Sequence, residues 1–150
     1  MPDYTPVFLT GRQITLTASV ACSGGDLLEV SGSGTVRPWV PNAVPSQKAI
    51  GVAGNDTPVN GRVTVYGFGP VHESVADGTV TAGDQLVAAS TAARQVKTLV
   101  PSAADLGATY VQATVNAAVN LAVNNTRSII GIALTTVADN LKVRWMQFPG

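Results

Sequence analysis

The sequence predicts a mainly β fold: a small β-barrel or β-sandwich built from two related β units, with one helix inserted in the second. Three observations carry that prediction. Gly25-Asp26-Leu27-Leu28-Glu29-Val30 returns as Gly83-Asp84-Gln85-Leu86-Val87, each a Gly-Asp turn directly before residues that alternate as in a half-buried strand. Ile50-Gly51-Val52-Ala53 returns as Ile130-Gly131-Ile132-Ala133. A further strand follows each tetrad at the same distance, 12 residues from Gly51 to Val63 and 12 from Gly131 to Val143. Three matches in one order indicate a duplication, with pseudo-repeats at about 14–66 and 71–146.

Residues 1–10 read as an extended N-terminal arm, and 11–150 as a single β-rich domain. Pro2 and Pro6 flank Tyr4 and argue against helix and central strand. The arm's aromatic and aliphatic residues, Tyr4 and Val7-Phe8-Leu9, are either laid on the domain or offered to a partner. Ile14 to Val20 alternates cleanly, with Ile14, Leu16, Ala18 and Val20 on one face. Ser23-Gly24-Gly25-Asp26 turns the chain into the strand Leu27–Val30. Val36 to Val40 contains Pro38, which cannot donate to a ladder, so this strand lies at an edge or ends early. Ala49–Ala53 is a short apolar strand, and Gly51 inside it marks a close approach of backbones. Val63 and Val65 share one face of the next strand. Val71–Val75 forms another, and Leu86–Ala88 with Val96–Val100 reads as a hairpin.

The second unit is longer than the first. Gly25 to Gly51 spans 26 residues and Gly83 to Gly131 spans 48, so 22 are inserted, at about 101–125. Within the insert, Thr109–Asn124 fits two templates. Val111, Val115, Val119 and Val123 recur every four residues, as on a helix, while odd positions are apolar throughout, as in a strand. Capping-box spacing from Thr109 to Gln112, the alanine content and a stop at Asn124-Asn125 favour helix. Strands at Ile129–Leu134 and Leu141–Met146 close the domain.

Bulk composition narrows the function. Nine acidic and nine basic side chains balance, and the basic ones are scattered singly, so a phosphate-collecting patch is not expected. Only 12% of residues are charged, against about 25% in a typical globular domain, which suggests a surface covered in part by partners, a second copy included. Cys22 is alone, so no intrachain disulfide forms, and a small buried hydrophobe is the expectation for it. The first residues lack the basic start and apolar core of a signal peptide, and no apolar run reaches membrane-spanning length. A soluble protein made in a cytoplasm is expected.

Chemistry-bearing constellations are sparse. His72 is the single histidine; a nucleophilic site would need it beside Ser74, Ser19 or Cys22, with Asp77 or Glu73 as orienter, and none lies in a nucleophile elbow. A surface or edge-strand histidine is expected instead. One Cys and one His cannot make a structural zinc centre. Asp26, Asp56, Asp77, Asp84 and Asp139 all sit at turns, where Asp bonds local backbone. Gly32-Ser33-Gly34 lacks the rest of a dinucleotide fingerprint. No catalytic residue, metal or cofactor is therefore expected. Trp39, Tyr66, Phe68 and Trp145 fit core or interface packing better than stacking on a sugar or base.

The order Gly-Asp-x-Leu-x-Val, Ile-Gly-Val-Ala and x-Val-x-Val, repeated with Ile130-Gly131-Ile132-Ala133-Leu134, resembles the small capsid decoration (cement) proteins of tailed bacteriophages, as does the leading Ile14–Val20 strand. The resemblance covers about Gly11 to Met146. It implies a non-enzymatic virion protein on the outer surface of the capsid, made in the bacterial host cytoplasm, that stabilises the expanded shell. Its partners would be the major capsid protein and further copies of itself, with a trimer favoured over a dimer. In similar proteins an N-terminal arm adds a strand to the capsid protein, which makes Tyr4, Val7, Phe8 and Leu9 the candidate capsid-binding residues. The rival expectation is a virion surface adhesin that binds host glycan through Trp39 or Trp145.

Overall fold

Two five-stranded barrels, each drawn from one half of the chain, make up the protein. The computed structural model describes residues 4, 13–41, 49–100 and 112–148. The first barrel contains β1 (Gln13–Ala18), β2 (Leu27–Gly32), β3 (Thr35–Pro38), β4 (Ala49–Ala53) and β5 (Arg62–Tyr66), closed in the order β1-β3-β2-β4-β5. The second contains β6 (Val71–Ala76), β7 (Gln85–Ala88), β8 (Gln95–Thr98), β9 (Gly131–Ala133) and β10 (Lys142–Gln147), closed in the equivalent order β6-β8-β7-β9-β10. β1 runs parallel to β3 and β6 parallel to β8, while the other pairs are antiparallel. Closure removes the unpaired edges that open sheets expose.

The registers superimpose the halves residue by residue. Ala18 faces Val36 as Ala76 faces Val96, and Ile14 faces Val65 as His72 faces Trp145. The repeated motifs explain why both halves fold alike. Gly25 and Gly83 take φ of 91° and 94°, a region open to glycine without a Cβ penalty. Their N–H groups donate to Ala53 O and Ala133 O, each at 2.8 Å. The carboxylates of Asp26 and Asp84 accept the N–H of Ser23 and Thr81, three residues back, at 2.8 and 2.9 Å. At Gly51 and Gly131 the close approach inferred from sequence is present: a Cβ would lie 2.2 Å from Tyr66 O and 2.3 Å from Met146 O. These are backbone atoms and cannot swing aside.

β3 stops at Pro38 inside a closed barrel, so of the two readings of that proline the early end holds and the edge does not. The insert forms a helix, α1 (Gln112–Arg127), between β8 and β9. Asn124 and Asn125 do not stop it; asparagine is only a weak helix breaker, and the chain turns after Arg127. Thr109, the inferred cap, lies outside the described residues. Of the valine row, Val119 and Val123 face outward, 54% and 41% exposed, and Val111 lies outside the described residues.

Ala18, Leu28, Val36, Val63 and Val65 pack inside the first barrel with Cys22, which is buried and free. The other cluster spans both barrels: Leu27, Trp39 and Val52 of the first pack with Leu86, Val96, Val143 and Trp145 of the second. Backbone and side chain tie the same seam. Leu27 N–H donates to Ala93 O at 2.9 Å, Trp39 Nε1 donates to Ala89 O at 3.0 Å, and Arg94 Nε meets Asp26 Oδ1 at 2.6 Å.

Candidate functional site

The seam between the barrels holds the described part of the arm, Tyr4, and the single histidine. The Gly24-Gly25 turn forms the seat for Tyr4; a Cβ on Gly24 would come within 2.9 Å of Tyr4 Cβ. The phenol ring stacks on His72 at 5.9 Å and meets Tyr66 edge-on at 6.4 Å. Tyr4 therefore touches β5 of one barrel and β6 of the other. Of the two fates read for the arm's aromatic residue, Tyr4 is laid on the domain. Val7, Phe8 and Leu9 lie outside the described residues.

His72 is not on the surface or at an edge, as its sequence context suggested. It is fully buried in β6, a strand paired on both sides. Burial is tolerated because both ring nitrogens are engaged: Nε2 lies 3.1 Å from Gln147 Oε1 and Nδ1 3.0 Å from the Tyr4 hydroxyl. Gln147 presents its oxygen there because its Nε2 donates to Ile50 O. An acceptor at Nε2 means that this nitrogen carries the proton, so Nδ1 accepts from Tyr4. The Tyr4 oxygen in turn accepts the Glu73 N–H at 3.2 Å. The chain Glu73–Tyr4–His72–Gln147–Ile50 thus runs from one barrel to the other with each polar atom partnered.

Burial sets the protonation states. Loss of hydration holds the His72 pKa down to about 4, against a smaller opposing effect of the Gln147 bond. Burial likewise pushes the Tyr4 hydroxyl up to about 12, partly offset by the Glu73 N–H. At neutral pH the pair is uncharged. Both ring nitrogens are thereby bonded within the chain, and the histidine connects Tyr4 to Gln147.

The other residues considered for nucleophilic chemistry are not brought to His72. Ser74 Oγ accepts the Trp145 indole N–H at 3.0 Å, Ser19 Oγ pairs with Ser31 Oγ, and Cys22 Sγ donates to Val20 O. Burial raises the Cys22 pKa, with Asp26 adding to the effect. The turn aspartates hold local or cross-turn groups, among them Gly24 N–H on Asp56, Gly78 N–H on Asp139 and Thr91 Oγ1 on Asp77. Trp39 and Trp145 are 2% and 0% exposed and serve packing. Beside the seam, Tyr4, Thr15, Asn55, Asp56, Arg62 and Tyr66 border a polar cleft. Tyr4 reaches it through the arm, a placement that no local sequence pattern encodes.

No family model matches the chain, and no curated protein does. Among solved structures, the chain is similar to the N base of the head fiber gp8.5 of bacteriophage phi29. That likeness has a TM-score of 0.50 at 14% identity and covers 91% of this chain and 93% of that one. At such identity the likeness is one of fold, and it embraces both barrels.

Proposed function

We propose that the chain is a structural protein of a phage virion that binds the outer surface of the capsid and stabilises the expanded shell. The observation that carries this reading is the likeness of nearly the whole doubled barrel to the base of a phage head fiber. The decoration-protein resemblance of the repeated motifs supports the same assignment from sequence. In this reading the major capsid protein is the partner, the protein self-associates with a trimer favoured, and nucleic acid takes no part.

Closed barrels bear on how such binding would work. Among the described residues both sheets close on themselves, which leaves no free edge to accept a strand. Strand addition would then run from this chain's arm to an edge on the shell. Val7, Phe8 and Leu9 would supply the contacts, and Tyr4 would hold the root of the arm across the seam. The role is not catalytic in this reading, in keeping with the full engagement of His72. The adhesin alternative loses the platform named for it, since Trp39 and Trp145 have no exposed face to offer a sugar.

Co-sedimentation with expanded and unexpanded phage heads that lack the protein tests the proposal. Saturable binding to expanded heads alone is the expected result, and binding to neither would overturn it. Deleting residues 2–9 would also remove Tyr4 and disturb the seam, so the arm is better tested by Phe8→Asp. That variant should lose shell binding while keeping the wild-type melting temperature; undiminished binding would exclude the arm.

A further inference from the structure

The two barrels match position for position, yet one end of their interiors is filled differently. Val65 occupies the place in the first barrel that Trp145 occupies in the second, and Ile14 the place of His72. Val65 and Trp145 each sit over a glycine: a Cβ on Gly51 would come within 2.8 Å of Val65 Cγ1, and one on Gly131 within 2.6 Å of Trp145 Cε3. In the second barrel the indole, packed on His72 at 5.1 Å, closes the interior, and both rings are fully buried. In the first, Val65 stops short of the end. What remains is an open cavity of about 440 Å³ between Ile14, Leu16, Val30, Ile50, Val65 and Phe68. Ile14, Val30 and Phe68 are 50%, 43% and 48% exposed, unusual for side chains at the end of a barrel core.

The chemistry of the lining selects the occupant. Among the described lining residues none is charged, and Thr35 supplies the one side-chain hydroxyl. Small-molecule sites of this size carry several placed polar groups that fix the ligand's orientation. A side chain delivered by a polypeptide needs none, because its own backbone orients it. The internal copy shows which side chain suits the place: a large flat ring packed on His72, the counterpart of Ile14. We propose that the mouth of the first barrel receives one aromatic side chain from a partner protein, seated against Val65 and Ile14 in the space that the Trp145 ring fills in the second barrel. The inference rests on the two barrels alone and does not depend on the capsid reading.

The probes are two end-blocked peptides, Ser-Gly-Trp-Gly-Ser and its counterpart with alanine at the centre, titrated into protein with labelled methyl groups. Saturable shifts should be confined to Ile14, Leu16, Val30, Ile50 and Val65, with the tryptophan peptide at least about tenfold tighter than the alanine one. Val65→Trp supplies the ring from within, and Ile14→Asp places a charge at the half-exposed rim. Each should weaken peptide binding at least about tenfold. If Val65→Trp does not fold, Ile14→Asp decides, since its site tolerates water already. Shifts that are absent, equal for both peptides or unchanged in Ile14→Asp would overturn the proposal. So would tighter binding of 1-octanol than of the tryptophan peptide, which would mark the mouth as a site for an aliphatic small molecule.

Discussion

Set beside each other, the two barrels show how one backbone can be finished in two ways. Strand order, register, turn glycines and the crowded contact at Gly51 and Gly131 are common to both. What differs is the content. The first barrel packs Ala18, Leu28, Val36, Val63 and Val65 inside and is open at one end. The second replaces Ile14, Leu16, Val65 and Gly67 with His72, Ser74, Trp145 and Gln147, a polar set that bonds within itself and to the seam. Trp145 brings a ring large enough to close the barrel, and its N–H needs Ser74. His72 needs Gln147 and Tyr4. Once the ring is in place, the polar residues follow as its required partners.

The largest effect that tests this comparison is removal of the ring itself. Trp145→Ala should cost about 4 kcal/mol in chemical denaturation, through lost burial and the cavity left behind. Val65→Ala, at the equivalent place beside an already open mouth, should cost less than half as much, about 1.5 kcal/mol. Equal losses would mean that the first barrel is as tightly filled as the second, against the volume found there.

A second contrast is in pH. The folded-state pKa of His72 is held down to about 4 by burial, while the unfolded chain has the ordinary value of about 6.5. Below 6.5 the unfolded state takes up a proton that the folded state refuses, so stability falls as the pH drops, levelling near 4. The stability present above pH 6.5 should decline by roughly 3 kcal/mol across that window. His72→Ile, which gives the second barrel the residue of the first, should abolish this contribution while costing some stability at neutral pH. Denaturation of both proteins at pH 7, 5.5 and 4.5 checks it; parallel curves would show that His72 is not the group responsible.

The parts legible from sequence are those set by local chemistry. Gly-Asp turns and the buried glycines carry their reasons with them, since a φ above 90° favours a residue without a Cβ and a carbonyl 2.2 Å away requires one. The helix was legible as a period of four, although its end was not, because Asn124 and Asn125 stop a helix only when tertiary contacts ask for it. The outward-facing valines of α1 carry the periodicity of a core face without its burial, so period alone did not reveal which side they take. His72 was illegible for a different reason. Its burial depends on Tyr4 and Gln147, 68 and 75 residues distant, and no window along the chain contains all three. Strand order was likewise hidden, since the β1–β3 and β6–β8 parallel pairs join strands that are not neighbours in sequence.

A smaller effect than loss of the ring or of the His72 contribution falls on the seam, where the open barrel meets the closed one. Tyr4→Phe keeps the ring that stacks on His72 and abuts Tyr66, and removes the one oxygen. That oxygen gives its proton to His72 Nδ1 and accepts the Glu73 N–H, so its loss leaves two groups unpartnered in a largely dry place. The expected cost is about 2 kcal/mol, more than one exposed hydrogen bond and less than a lost ring. The variant also separates two roles of the arm. If Tyr4 is its structural root, Tyr4→Phe lowers the melting temperature and Phe8→Asp does not, whereas shell binding responds in the opposite sense when assayed well below the melting transition. A melting temperature unchanged by Tyr4→Phe would mean that the polar chain across the seam adds nothing to the joint. The barrels would then be held together by the packing of Leu27, Trp39 and Val52 and by the bonds from Leu27, Trp39 and Asp26 to the second barrel.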